Sequence, residues 1–549
     1  MTWFDPLPMG PDGKTYVKCN KCGKEFQHDS TSGTANLMRH HDTCASSSPH
    51  SATRSSTFKH EKFSELIVEA IVKHDLPFSF VEYEGIRTVI DYVSPELRLP
   101  CTNTVKSYVT KIYKSEKVKV HELLNRAKGR ICLTSDLWNS HTTDGYLALT
   151  AHFIDGDWNL QKKILSFCHM PPPHTGNALA EKINSLICNW GIDKNLFSIT
   201  LDNASANDSF VEKLKTQLNF RGLLLLNGQL FHGRCCAHIL NLIVQDGLKA
   251  IDVSVIKNGP CVKYIKGSIT RKHKFLECVE QVGLMGNRKA LRQDVPTRWN
   301  STFLMLDSAL YYRQALGHFA LFELDFKTCP TSEEWGQIEM IAKFLEEFYE
   351  VTSLFSGSKY ATSNLFFPKV FKIQHSIREA MMHRDDFMRH MGNEMSAKFQ
   401  KYWSDYSLTL GIAVVMDPRY KMSFVEWAYI KLRGENSLEV VMFKDTLNSL
   451  YEAYVDRWSS QTSSIDHVNE GCSYSQGEDA LFQDFDSSYN NATSSSVRNE
   501  LQSYLYEQRL DRKMELDVLG WWKKEEFRYP ILSRLAGDML MIPVWRVTC

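Results

Sequence analysis

The sequence predicts a multidomain protein of the α/β plus α class, in which a mixed sheet is interrupted by a large all-helical block. Three observations predict it. The chain has 549 residues, more than a single core of about 100 to 200 residues accommodates. Short β-rich runs begin at Arg130 and give way to alternating helix and strand, whereas from about Gln245 to Leu450 the pattern is mostly amphipathic helix. A cysteine and histidine group near the N-terminus has the spacing of a metal-held module.

Composition narrows the function classes. Hydrophobic residues make up 43% and charged residues 23%, ordinary globular values. No apolar run approaches the roughly 18 residues that cross a bilayer. Sixty-four basic residues balance 64 acidic ones, so any nucleic-acid surface must come from local clustering. The start, Met1-Thr2-Trp3-Phe4-Asp5-Pro6, lacks the basic-then-apolar layout of a signal peptide, which places the chain in a reducing compartment. Triplets such as Asn203-Ala204-Ser205 therefore carry no glycosylation meaning, and most of the 14 cysteines read as buried thiols.

The exception is Cys19-Asn20-Lys21-Cys22, followed after 17 residues by His40-His41-Asp42-Thr43-Cys44. A C-x2-C turn presents two thiolates to one tetrahedral ion, and His40 and Cys44, four apart, share a helix face. The expected ligands for Zn2+ are Cys19, Cys22, His40 and Cys44, with His41 and, less favourably, His28 as alternatives to His40. Thr34 or Ser32 is placed to cap that helix, and Leu37 with Phe26 to form the apolar cluster that metal binding fixes. Lys18, Lys21, Lys24 and Arg39 put positive charge around the module, as contact with the phosphates of double-stranded DNA requires. With Trp3 and Phe4 upstream and the ending Asn36-Leu37-Met38-Arg39-His40, residues 1–45 resemble a BED-type zinc finger whose aromatic part is abbreviated.

Residues 46–57 lie in a Ser-, Thr- and His-rich stretch without apolar periodicity and read as a flexible linker. Residues 58–128 read as a small helical unit, with Phe63, Leu66, Ile67 and Ala70 at helical spacing and Pro77, Pro95 and Pro100 as breaks. Residues 129–244 predict strands over 131–137, 146–154 and 160–169, the second and third joined by the turn Asp155-Gly156-Asp157. A helix over 177–190 follows, stopped by Gly191, then a strand over 196–201 and a helix from about Ala204. This β-β-β-α-β-α order is that of an RNase-H-like α/β core. Residues 245–458 read as a helical insertion, including a half-buried helix over 335–355. Residues 459–499, dominated by Ser, Gln, Asn, Asp and Gly, read as disordered, and residues 500–549 as a dense C-terminal segment.

Two acids stand where strands should end, Asp136 in Leu133-Thr134-Ser135-Asp136-Leu137-Trp138 and Asp202 in Ile199-Thr200-Leu201-Asp202-Asn203. In an RNase-H-like sheet the first and fourth strands are neighbours, so the two carboxylates converge at one edge. Such a pair holds divalent ions, Mg2+ or Mn2+, that polarise a phosphodiester. The competing reading of each is a turn or helix cap.

These segments, with Arg234-Cys235-Cys236-Ala237-His238-Ile239-Leu240-Asn241-Leu242, Asp294-Val295-Pro296-Thr297-Arg298-Trp299-Asn300-Ser301, Met416-Asp417-Pro418-Arg419-Tyr420-Lys421 and Asp517-Val518-Leu519-Gly520-Trp521-Trp522 through Pro543-Val544, resemble in order the signatures of hAT-superfamily transposases. The likeness spans nearly the whole chain and is strongest to the domesticated plant Ricesleeper/Daysleeper type, regarded as DNA-binding regulators. It implies that Asp136 and Asp202 are the first two acids of a catalytic triad. It implies that Trp299, beside Arg298, stacks on a displaced base, a core aromatic being the other reading. It implies dimerisation through Trp521, Trp522, Tyr529 and Leu532. Cys235 and His238 match a C-x2-H pair, read here as packing.

The family's third acid, a glutamate, follows the equivalent of Ile542-Pro543-Val544, where this sequence has Trp545-Arg546-Val547-Thr548-Cys549. The triad and the last helix of the core are thus expected to be incomplete and the dimerisation region truncated. The expected function is a zinc-dependent, dimeric, non-catalytic DNA-binding regulator. A metal-dependent transposase is the alternative. Nuclear localisation follows from DNA binding, since basic clusters such as Arg271-Lys272-His273-Lys274 are weak.

Overall fold

The computed structural model describes residues 3–9, 13–28, 35–46, 60–95, 97–140, 144–249, 258–284, 290–295, 298–357, 360–435, 437–466 and 500–545. The chain divides into two compact units, Met1–Lys119 and Val120–Cys549.

The first unit opens with three short antiparallel strands, β1 (Phe4–Pro6), β2 (Tyr16–Cys19) and β3 (Glu25–Gln27), in the order β1-β2-β3, followed by helix Ala35–Ser46. Gly23 adopts φ +72° in the turn between β2 and β3, the left-handed conformation glycine tolerates. Its N–H donates to the Cys19 carbonyl at 2.9 Å, which brings Cys22 back over Cys19. The expected Leu37 and Phe26 join a core that also takes Phe4, Val17, Cys19 and Cys44. Phe4 packs edge-on against Phe26 at 6.2 Å, so the aromatic part expected to be abbreviated is filled. The expected caps Ser32 and Thr34 and most of the expected linker lie outside the described residues, although the helix itself runs to Ser46.

Helices His60–Lys73, Glu84–Val93 and Thr102–Asn125 follow, the last running on past Lys119. The apolar face of the first is shifted from the one the sequence suggests, with Ile67 common to both. Val68 and Ile71 are buried with Val81 and Val105, while Leu66 is exposed and Phe63, Ile67 and Ala70 are half-buried.

The second unit is built on a five-stranded sheet: β4 (Ile131–Asn139), β5 (Gly145–Ile154), β6 (Leu160–His169), β7 (Leu196–Leu201) and β8 (His232–Arg234), in the order β6-β5-β4-β7-β8. β4 to β6 form an antiparallel meander, and β7 joins β4 in parallel through a crossover containing helix Gly176–Asn189. β4 and β7, central in the sheet, are buried along most of their length. Thr175 caps the helix by accepting from the Ala178 N–H at 3.3 Å, and Gly191 at φ +64° closes it. A Cβ on Gly176 would stand 2.8 Å from the Phe210 backbone nitrogen, so glycine there lets helix Ser205–Phe220 pack close. The predicted strand and helix order holds. The three-residue β8 escaped it.

Ten helices follow from Cys236 to Asp466 among the described residues. Helix Ser332–Phe355 starts at a reciprocal cap in which Thr331 accepts from the Glu334 N–H and Glu334 from the Thr331 N–H. Helix Leu438–Asp466 continues past Ser459, where the sequence led us to expect disorder. The rest of that stretch lies outside the described residues. Helices Glu500–Tyr506, Val518–Glu525 and Leu532–Leu540 close the chain within the same core as the sheet.

Candidate metal centre and carboxylate pair

The ligand atoms of Cys19, Cys22, His40 and Cys44 all lie within 4.8 Å of one another. Cys19 Sγ stands 4.0 Å from Cys44 Sγ, and Cys22 Sγ 3.2 Å from His40 Nε2. Tetrahedral zinc with bonds of about 2.0 to 2.3 Å places its ligands about 3.5 to 3.8 Å apart, so this donor set fits the ion. The Phe26 ring, 4.4 Å from that of His40, orients the imidazole. Burial opposes a charge on Cys19, but the N–H groups of Cys22 and Lys21 outweigh it and bring the thiol down to about 6. Burial and the neighbouring thiols push Cys44 up to about 11. A divalent cation would relieve both the burial penalty and the repulsion between sulfurs. Lys18, Lys21, Lys24 and Arg39 are all exposed around the cluster.

The second predicted pair also converges. Thr134 lies opposite Thr200 in the parallel β4–β7 pairing, and Asp136 and Asp202 follow each by two residues. Both line one pocket, together with His174. Asp136 is buried in β4. Asp202 is half-buried, and its Oδ1 accepts from the Ala204 N–H at 3.1 Å and from the Asn207 side-chain amide. The turn-cap role weighed against catalysis is therefore present in Asp202. Among the described residues the cysteine and histidine cluster is the only set of three or more metal-ligating side chains. The position expected to lack the third acid, 546–549, lies outside the described residues.

Packing bears on two sets of expected site residues, and for Trp299 it favours the core-aromatic reading of the two. Trp299 is 3% exposed, edge-on to Phe348 at 6.5 Å, because it opens helix Trp299–Tyr311 on the face that meets helix Ser332–Phe355. It is a core aromatic here, while its neighbour Arg298 is exposed. The proposed dimer anchors Trp522, Tyr529 and Leu532 are each no more than 2% exposed and pack inside their own chain. Trp522 Nε1 donates to the Met416 carbonyl at 2.7 Å, and half-buried Trp521 is edge-on to Trp522 at 4.9 Å. Met416 opens the segment Met416-Asp417-Pro418-Arg419-Tyr420-Lys421, which is itself tied to helix Glu500–Tyr506 and the residue after it. The Arg419 guanidinium grips the Asp417 carboxylate through both oxygens, and Lys421 Nζ donates to the carbonyls of Tyr504 and Glu507. Cys235 is fully buried and His238 half-buried, consistent with packing.

Family models match this chain in succession: a BED zinc finger over 3–44, the ZBED1 RNase-like domain over 134–230, and the ZBED1 RNase-like helical domain over 233–344. The hAT-like transposase RNase-H fold follows over 364–454 and the hAT family C-terminal dimerisation region over 500–549. Zinc finger BED domain-containing protein RICESLEEPER 2 of Oryza sativa subsp. japonica is 34% identical over 89% of this chain and 70% of its own length. A Zea mays protein named as an AC transposase is 32% identical over 97% of this chain and 69% of its own length. The chain belongs to the hAT family of transposase-derived BED zinc finger proteins. Zinc finger BED domain-containing protein DAYSLEEPER of Arabidopsis thaliana, 31% identical over 89% of this chain and 68% of its own, is a further relative. In a hAT-family chain the BED finger implies DNA binding, its Cys/Cys/His/Cys cluster points to Zn2+, and the dimerisation region implies dimers.

Proposed function

We propose that this hAT-family chain is a zinc-dependent binder of double-stranded DNA that acts in the nucleus as a dimeric, non-catalytic transcriptional regulator. The observation that carries the reading is the finger, where four ligand atoms within 4.8 Å of one another are ringed by exposed Lys18, Lys21, Lys24 and Arg39. Zinc fixes the small core, and the cations meet the phosphate backbone. Engagement of the Asp202 carboxylate in a turn supports the non-catalytic part, because an oxygen already accepting two hydrogen bonds is less available to a metal. Support for dimerisation is the family match over 500–549, and with the four aromatic and aliphatic side chains drawn into their own fold, the contact would use the exposed surface of that region.

The test is zinc content and affinity for duplex DNA in Cys22→Ser. Loss of both is expected. Retention of both would remove the finger from the function.

A second reading, metal-dependent strand cleavage, is favoured by the convergence of Asp136 and Asp202 on one cavity. Nicking of a DNA substrate that needs Mg2+ or Mn2+ and disappears in Asp136→Asn would replace the non-catalytic reading with this one.

A further inference from the structure

At the opposite end of β4 from Asp136, three arginines that are remote in sequence meet in a pocket open to solvent. Arg130 precedes β4, Arg457 comes from helix Leu438–Asp466 and Arg534 from helix Leu532–Leu540. Lys128 stands at the rim. A strand advances about 3.3 Å per residue, so the six positions from Arg130 to Asp136 separate this cavity from the carboxylate pair by about 20 Å.

The contacts of these cations are the informative feature. Arg130 donates from its guanidinium to the Leu196 carbonyl at 3.0 Å, and Arg457 to the Asn195 side-chain oxygen at 3.1 Å. The Arg534 guanidinium lies over the Trp458 ring at 4.2 Å. The three arginines thus contact neutral groups, while Lys128 pairs with the Glu526 carboxylate at 3.4 Å. The one carboxyl lining the cavity, Asp538, is committed elsewhere, its two oxygens accepting from the Arg130 backbone N–H at 2.8 Å and the Tyr454 hydroxyl at 2.6 Å. Burial, then the charge of Arg130, lower the basicity of Arg457; Tyr454 and Asp538 oppose them, and Arg534 adds to the repulsion. Burial likewise lowers that of Arg534, against the opposing charges of Glu526 and Asp538. Like charges gathered around a cavity repel one another, and an anion between them converts that repulsion into charge-assisted hydrogen bonds. The guanidinium fork matches phosphate geometry in particular.

We propose that the cavity between Arg130, Arg457 and Arg534 is a binding site for a phosphate-bearing ligand, distinct from both the finger and the carboxylate pair. The phosphate is carried by either a DNA backbone or a free polyphosphate, and the chemistry of the site is the same for both.

The experiment is calorimetric titration of the full chain with inorganic pyrophosphate, compared with Arg457→Gln and Arg534→Gln, in which the finger is unchanged and its contribution cancels. Saturable binding that weakens roughly tenfold or more in each variant is expected, the size of one lost charge-assisted contact. Absence of saturable binding, or equal binding by wild type and both variants, overturns the proposal. Competition by a 20-base-pair duplex assigns the site to DNA backbone, and failure of the duplex to compete assigns it to a free polyphosphate. Thermal unfolding without ligand is the second readout, and it separates a ligand site from a structural one. If the arginines serve a ligand, each variant melts at or above the wild-type temperature, whereas a fall of several degrees in both marks them as structural and overturns the proposal.

Discussion

The backbone N–H of Arg130 donates to the Asp538 carboxylate at 2.8 Å, tying the entry to the first strand of the sheet to a helix 408 residues further along. The Tyr454 hydroxyl donates to the other oxygen at 2.6 Å, so one side chain joins the sheet, the helical block and the C-terminal segment. Burial raises the Asp538 pKa, with the two donors and nearby arginines opposing it. Asp538→Ala would leave a buried N–H and a buried hydroxyl without an acceptor, each costing about 1 to 3 kcal/mol, partly offset by relief of the buried carboxyl. A net loss of about 2 to 4 kcal/mol is expected in urea unfolding, with Asp538→Asn much milder because it keeps an acceptor oxygen. Equal losses in the two variants would show that the hydrogen bonds are not what Asp538 contributes.

Trp522 tests whether the C-terminal aromatics hold the fold or a partner. It is fully buried, lies tilted against the Tyr504 ring at 5.1 Å and donates to the Met416 carbonyl. Trp522→Ala is expected to cost about 3 to 5 kcal/mol as a core cavity, measured by chemical unfolding at protein concentrations that span dimer dissociation. The loss should not depend on concentration. A loss that appears only where the wild type is dimeric would return Trp522 to the interface.

What the sequence made legible was whatever is encoded locally. The zinc ligands emerge because C-x2-C and H-x3-C fix geometry over a few residues, and β4 to β7 because their apolar runs are bounded by turn residues. The paired acids followed from element order alone. The strand β8 carried no signal, since three residues, His232–Arg234, hold no alternation to detect. In helix His60–Lys73 apolar residues occupy more than one face, so periodicity pointed to Leu66 while packing chose Val68 and Ile71. A Trp-Trp pair signals burial but not whose chain buries it, which is why Trp522 was assigned to a dimer. The three arginines gave no signal because Arg130 meets the other two across more than 300 residues of chain.

Zinc removal should be a local event. The finger core is a separate cluster of Phe4, Cys19, Leu37 and Cys44, and Val120–Cys549 has its own core around the sheet. Chelation with excess EDTA is expected to abolish duplex binding and to collapse amide protection in β1 to β3 and helix Ala35–Ser46, as followed by hydrogen exchange, while protection in β4, β5 and β7 persists. Loss of protection in those strands at the same chelator concentration would show that the finger's metal supports the whole chain.

Glu500 gives stability a pH dependence whose direction is fixed. It is 5% exposed, and one oxygen accepts from the Ile531 and Leu532 N–H groups at 3.1 and 2.9 Å at the start of helix Leu532–Leu540. The other oxygen has no hydrogen-bond partner among the described residues. Burial outweighs the two N–H groups and raises the carboxyl from 4.5 to about 7. A raised folded value means that the native state binds the proton more tightly than the unfolded chain. The Glu500 contribution is therefore fully present below about 4.5, shrinks as pH rises, and is gone above about 7. Glu500→Gln keeps an acceptor for the helix without a charge, so it should remove this slope and exceed wild type in stability above pH 7. The check is urea unfolding of both proteins at intervals between pH 5 and 8. A stability difference between them that stays constant across that range would mean that the buried carboxyl does not titrate there.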